Sequence, residues 1–147
     1  MNEKNFSVVT RTSNSAFTTD IETDSHTFIS DEPKEEGGAD KGPTPYDLLV
    51  SALGACTGMT LQLYAKHKEM DLKKVTVYLS HKKIHAEDCL NCEVVDSKLD
   101  VISREIELEG NLTEDQKNRL IAIADKCPVS KTLAAGVRIE TRLKIKS

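Results

Sequence analysis

Tryptophan is absent from the 147-residue sequence, and tyrosine and phenylalanine contribute only three residues each. A core built on large aromatic rings is therefore excluded, and Leu, Ile, Val and Ala must carry it. A core this light favours completion by a second copy of the chain. No basic stripe is present either: 20 Lys and Arg are mixed with 24 Asp and Glu, for a formal net charge of −4. That argues against nucleic acid as a partner. No stretch approaches the roughly 18 apolar residues that span a bilayer, so no membrane association is expected. The opening Met1-Asn-Glu-Lys-Asn lacks the apolar run of a secretory signal, which makes the cytoplasm the expected compartment. Internal repeats and low-complexity tracts are also missing, and the length suits one domain, 1–147. In that compartment the four cysteines are expected to be reduced, catalytic or metal-binding rather than a disulfide framework.

Short β-prone runs, Phe6–Thr10, Phe17–Thr23 and His26–Ser30, are separated by turn residues and predict a small antiparallel meander. Residues 31–43 are polar and rich in Gly and Pro, and read as a loop. Thr44-Pro45-Tyr46-Asp47 is a helix start, with Thr44 as cap, Pro45 at the first helical position and Asp47 at the positive dipole end. The helix is predicted to reach about Met70, a length of about 39 Å that would cross the domain. Leu48, Leu49, Ala52, Cys56, Met59 and Leu63 form its predicted inward stripe. Ser51, Gly54, Ala55 and Gly58 form a small-residue strip against which a second helix is expected to pack.

Val75, Val77 and Leu79 alternate as a strand continuing to Ile84, and Ile102, Ile106 and Leu108 mark another that ends at Gly110. Thr113-Glu-Asp-Gln116 is a capping box for a second helix with Leu120, Ile123, Ala124 and Cys127 on its apolar face, and Pro128 ends or kinks it. Ser130 is a candidate cap for a short turn from Lys131 to Ala135. Val137, Ile139, Thr141, Leu143 and Ile145 alternate as a closing strand. The predicted class is α+β, a mostly antiparallel sheet packed on a long central helix and a second helix.

Cys56 and Cys127 carry the most chemical information. Taken alone, each is as readily an inert core thiol as a reactive one. At an ordinary thiol pKa of about 8.5, roughly 3% is ionised at neutral pH. A reactive Cys56, in mid-helix, therefore needs a nearby cation, and Arg11, Arg138 and Arg142 are the candidates. Cys127, read as the end of the second helix, would face the negative dipole end, which raises its pKa.

The motifs around both thiols resemble one family. Gly38-Ala-Asp-Lys-Gly42-Pro-Thr-Pro45-Tyr-Asp-Leu-Leu49, Ala52-Leu-Gly-Ala-Cys56-Thr and Ala124-Asp-Lys-Cys127-Pro-Val129-Ser-Lys-Thr-Leu133 resemble the OsmC/Ohr family of osmotically induced and organic-hydroperoxide-resistance proteins. The likeness is to its Pro-Tyr-Asp-Leu-Leu branch. It implies an OsmC-like fold, an intertwined homodimer and a role in the oxidative stress response. It also implies a cysteine-based peroxidase in which Cys56 attacks an organic hydroperoxide and Cys127 resolves the sulfenic acid to a disulfide. An external dithiol, often lipoyl in the family, would then reduce that disulfide, with no metal, haem or flavin cofactor. Family peroxidases carry a glutamate ten residues before the reactive cysteine to hold the activating arginine. Here that position is Tyr46, with Asp47 beside it, so thiolate activation falls to Arg11 and Asp47 as candidates.

A second cysteine pair, Cys89 and Cys92, follows His81 and His85, and by count these four could bind zinc or the cysteines could form a local redox pair. The alternative to a peroxidase is a non-enzymatic relative. It would bind a small apolar ligand or sense oxidation, with or without a zinc-stabilised loop around Cys89 and Cys92.

Overall fold

A computed structural model describes residues 6–14, 16–85 and 98–145. The elements run β1 (Val8–Thr12), β2 (Thr19–Thr23), β3 (Thr27–Ser30), α1 (Pro45–His67), β4 (Asp71–His85), β5 (Lys98–Asn111), α2 (Glu114–Ala124) and α3 (Pro128–Ala135). The α+β class with antiparallel pairing and a long helix is as predicted. The chain divides into two compact units, Met1–Ser51 and Ala52–Ser147, with the boundary inside α1.

In the first unit β1, β2 and β3 form an antiparallel meander, with Thr10 opposite Ile21 and Ile21 opposite Phe28. The polar loop after it is organised by one buried carboxylate. Asp31 accepts hydrogen bonds from the Thr18 hydroxyl (2.9 Å) and from the backbone N–H groups of Glu32 (2.8 Å), Ala39 (3.3 Å) and Lys41 (3.3 Å). The start of α1 is closed as the sequence suggested. Thr44 Oγ1 accepts from the Asp47 N–H (3.1 Å), and Asp47 Oδ2 accepts from the Thr44 N–H (3.0 Å).

In the second unit α1, α2 and the β4–β5 hairpin share one core. Leu61, Ala65, Leu120, Ile123 and Ala124 are buried together, with Met70, Leu72, Val75, Ile106 and Leu108 packed against them. Leu72 and Val75 both reach this core although their spacing is odd. A register shift between Leu72 and Lys74 rotates the strand by one position there. Opposite Leu72 sits Gly110, at φ +146°, where a Cβ would lie 1.9 Å from the Asp71 carbonyl oxygen. Only glycine fits. The α2 start is the predicted capping box, Thr113 with Gln116.

Several expectations need correction. Helix α1 stops at His67, not Met70, because Glu69 turns left-handed (φ +54°). The Met70 N–H then bonds the Ala65 carbonyl (2.8 Å) and the Glu69 N–H that of Lys66 (3.3 Å), a closed C-terminal turn. The buried row is Leu53, Thr57, Leu61 and Ala65, one residue along from the predicted stripe, and Met59 and Leu63 are exposed. A helix that is apolar on most of its circumference does not reveal which face its own chain will cover. At Gly54 the close neighbour is a strand side chain, not a helix: a Cβ there would meet Leu79 Cδ1 at 2.7 Å.

The absence of any span-like stretch also needs revision. Helix α1 has a mean hydropathy of 1.4 over 18 residues, so by length and composition it could cross a membrane. Of that stretch 22% is buried within this chain, and Leu61 and Ala65 of its buried row pack with Leu120, Ile123 and Ala124. Finally, 137–145 forms neither helix nor strand, and Ile139, Leu143 and Ile145 lie open. Alternation supplies a face, but a strand also needs a neighbouring strand to complete its hydrogen bonds.

Burial alone would raise the Asp31 pKa, but its four hydrogen bonds outweigh that and hold it below the ordinary 3.8. A depressed carboxylate pKa contributes stability that is fully present above the unfolded value and lost as pH falls through the folded one. Amide-exchange protection across 31–43 is therefore expected to hold at neutral pH and fall once pH drops below about 3.8. In Asp31→Asn, whose amide puts a donor where donors already point, protection should be weak at every pH. Equal protection in the variant would refute this account of the loop.

Candidate functional site

Both central thiols lie in the second unit and are free. Cys56, on α1, is half-buried, and Cys127 is fully buried. Cys127 does not end α2, as the sequence reading had it. That helix ends at Ala124 with Asp125 as its cap, and Cys127 is the N-cap of α3. The local cause is Pro128. Its ring presets the backbone for a first helical residue and removes an N–H that the first turn would not have used. Cys127 Sγ accepts the Ser130 N–H at 3.3 Å, as a serine or threonine cap oxygen would. The sulfur thus meets the positive end of a helix, the reverse of the expected dipole.

Three further groups act on Cys127. The Oγ1 of Thr57, the residue after Cys56, lies 3.9 Å from the sulfur, and the Cys56 side chain is close enough to influence the Cys127 thiol. Arg104, on β5, donates to Thr57 Oγ1 (2.9 Å), to the Ala124 carbonyl (3.3 Å) and to Asp125 Oδ1 (2.9 Å). Its side chain is only 13% exposed, so its charge is met by partners instead of water. Burial pushes the Cys127 thiol up, but the Ser130 N–H, Cys56, Thr57 and the Arg104 charge together bring its pKa below that of an ordinary thiol.

Beside Arg104 opens a groove of about 440 Å³, walled by Leu53, Ile102, Leu133 and Ala134 and edged by Asp125 and Ser130. A larger one, of about 620 Å³, runs past Met59, Leu63, Met70 and Leu72 and is lined by none of the thiol-site residues.

The other predicted residues have their own partners. Arg11 pairs with Glu22 at 2.8 Å on the exposed face of the meander, and Asp47 is the carboxylate of the α1 capping box. Arg138 pairs with Glu140. His81 Nε2 lies 2.8 Å from Asp100 Oδ1 across the β4–β5 pair. Cys89 and Cys92 lie outside the described residues. Among the described residues no group of three or more His, Cys, Asp or Glu side chains is arranged to hold a metal.

Arg104 is the residue that sequence reasoning missed. A signal was present: Ile102, Arg104, Ile106 and Leu108 share one parity on β5, so the arginine stands on the apolar face of the strand.

The family profile described as OsmC-like protein matches residues 38–142, and the chain belongs to that family. Solved structures of similar fold include an OsmC-like protein from Mycoplasma pneumoniae (19% identity, 90% of this chain and 89% of that one, TM-score 0.69). Another is an osmotic stress induced and detoxification response protein from Psychrobacter arcticus 273-4 (20%, 86% and 86%, 0.66). A third is an organic hydroperoxide resistance protein from Legionella pneumophila (16%, 86% and 88%, 0.61). No curated protein matches the chain.

Thr57→Val keeps the shape but removes the oxygen that Arg104 and Cys127 share. It is expected to cost about 1–3 kcal/mol in urea unfolding, because a buried donor is left unmatched. The pH at which thiolate absorbance near 240 nm appears should also rise. An unchanged thiolate titration would remove Thr57 from the site.

Proposed function

We propose that this chain is a thiol-dependent peroxidase that reduces organic hydroperoxides to alcohols. The observation that supports this is the placing of Cys127 at 3.9 Å from Thr57, the residue after Cys56 and distant from Cys127 in sequence, with Arg104 on the same hydroxyl. The Cys56 sulfur attacks the outer oxygen of the hydroperoxide, the O–O bond breaks, and the alkoxide leaves to become the alcohol. Cys56 is now a sulfenic acid, and Cys127 condenses with it, releasing water and forming the Cys56–Cys127 disulfide. An external dithiol, for which a lipoyl group is a suitable class, restores both thiols by exchange. The groove beside Arg104 is lined by Asp100, Asp125 and Ser130 as well as Leu53, Ile102 and Leu133, and those apolar side chains are the proposed contact for the organic part of the substrate. The cytoplasm, where thiols are kept reduced, is the proposed compartment.

One OsmC-like domain, 1–147, of the Pro-Tyr-Asp-Leu-Leu branch is proposed, since the family match runs across the boundary between the two units. The proposed working form is an intertwined homodimer. The exposed Met59 and Leu63 on α1, and the open alternating segment 137–145, support it by leaving apolar faces for a second copy to cover.

One equivalent of cumene hydroperoxide is expected to consume two thiols per chain, and peptide mapping to find Cys56 joined to Cys127. Cys56→Ser should abolish hydroperoxide consumption. Undiminished turnover in that variant would sink the peroxidase assignment, and a Cys56 that stays reduced while lipid-like ligands bind would favour the non-enzymatic alternative.

The full chain should elute as a dimer in size-exclusion chromatography with light scattering. Deleting 137–145 should shift it to monomer or aggregate. A monomeric full chain would end the dimer proposal.

A further inference from the structure

The two central thiols differ most in what can reach them. Cys127 is 0% exposed, whereas Cys56 is only partly covered, and Ala52 and Ala55 beside it on α1 are exposed. The groove next to Arg104 is lined by Ser130 but not by the sulfur that Ser130 caps. Around that sulfur the packing is fixed. The Ser130 N–H lies at 3.3 Å and Thr57 Oγ1 at 3.9 Å. Thr57 is itself fully buried and held by the Leu53 carbonyl (2.7 Å) and by Arg104 (2.9 Å).

A thiolate opens a disulfide in line, arriving at one sulfur from the side opposite the other, and access decides which sulfur it takes. In a Cys56–Cys127 disulfide the line from Cys127 through Cys56 runs outward. The line from Cys56 through Cys127 runs into the core. Attack at Cys127 would require a fully buried sulfur to be unwrapped first. Attack at Cys56 requires no such opening, and the Ser130 N–H is already placed to bond the departing Cys127 sulfur.

We propose that the external dithiol enters at Cys56, and that Cys127 exchanges only with Cys56 and meets neither hydroperoxide nor reductant. This rests on the peroxidase reading, which also secures the route. Whatever a second copy covers, the Cys56 sulfur must stay open to a hydroperoxide, and the same opening serves the dithiol. One thiolate of the dithiol bonds to the Cys56 sulfur, the S–S bond breaks, and Cys127 leaves with the electron pair and takes up a proton. The second thiolate of the dithiol attacks its partner sulfur, closes the reductant's own disulfide and expels Cys56, which is protonated in turn. The dithiol loses two electrons and two protons, and the protein gains them.

A monothiol cannot take the second step, so it leaves the first on view. Wild-type protein is oxidised with one equivalent of cumene hydroperoxide or, separately, with diamide. It is then mixed with 2-mercaptoethanol, quenched early with N-ethylmaleimide and peptide-mapped. Mercaptoethanol on Cys56 with maleimide on Cys127 should exceed the reverse pair by roughly tenfold or more. A ratio near one, or an excess of the reverse pair, overturns the proposal. The second measurement needs no disulfide: reduced wild type is pulsed with N-ethylmaleimide at about pH 9.5, where ordinary thiols are largely ionised. Cys56 should be alkylated roughly tenfold faster than Cys127, and equal rates refute the difference in access. Failure of the peroxidase reading looks different. Hydroperoxide then leaves Cys56 reduced, while the diamide sample still reports which sulfur is entered. A diamide sample without a Cys56–Cys127 disulfide ends the proposal.

Discussion

Among the described residues, the Arg104 guanidinium joins three elements of the second unit at the thiols. It comes from β5, binds the Thr57 hydroxyl on α1, and holds the last carbonyl of α2 together with the Asp125 carboxylate. A charge so shielded from water stays in place only when its donors are matched, and these acceptors are fixed by two helices. The dependence is mutual. Ala124 carries a helix-end carbonyl that the helix itself leaves unpaired, and Arg104 satisfies it. Arg104 thus adds a polar tie between the end of α2, just before Cys127, and the helix that carries Cys56.

The second constraint is shortage of cover. A chain without tryptophan and with few other aromatics has little bulk to bury a long apolar helix on every side. It spends its core on the row Leu53, Thr57, Leu61 and Ala65 and leaves Met59 and Leu63 open. The alternating tail 137–145 is left without a neighbour in the same way. Both features have one cause. These exposed apolar residues are the faces that the proposed second copy would cover.

What was legible in the sequence was what local chemistry dictates. The capping boxes at Thr44–Asp47 and Thr113–Gln116 need only four residues each, and both formed as read. The meander, the β4–β5 pair and both cysteine motifs follow from short-range patterns. The failures came where two signals competed. Pro128 was read as a helix terminator, when the same ring is equally a first residue of the next helix; the structure chose the second, and the dipole at Cys127 changed sign. On α1, hydropathy favoured Met59 and Leu63 over Thr57, whose hydroxyl is buried because Leu53 and Arg104 satisfy it. Arg104 passed as one more surface charge, although its parity with Ile102 and Ile106 set it on the apolar face.

The choice of sulfur as a helix cap has a consequence that an oxygen cap lacks. A neutral thiol is a weak acceptor, whereas a thiolate bonds an N–H as an ion does. The Ser130 N–H on Cys127 is therefore strongest when the sulfur is charged and weakest once it has entered a disulfide. Leu133 and Ala134 of α3 wall the groove beside Arg104. The cap thus sets the Cys127 sulfur and two groove-lining side chains on one short helix.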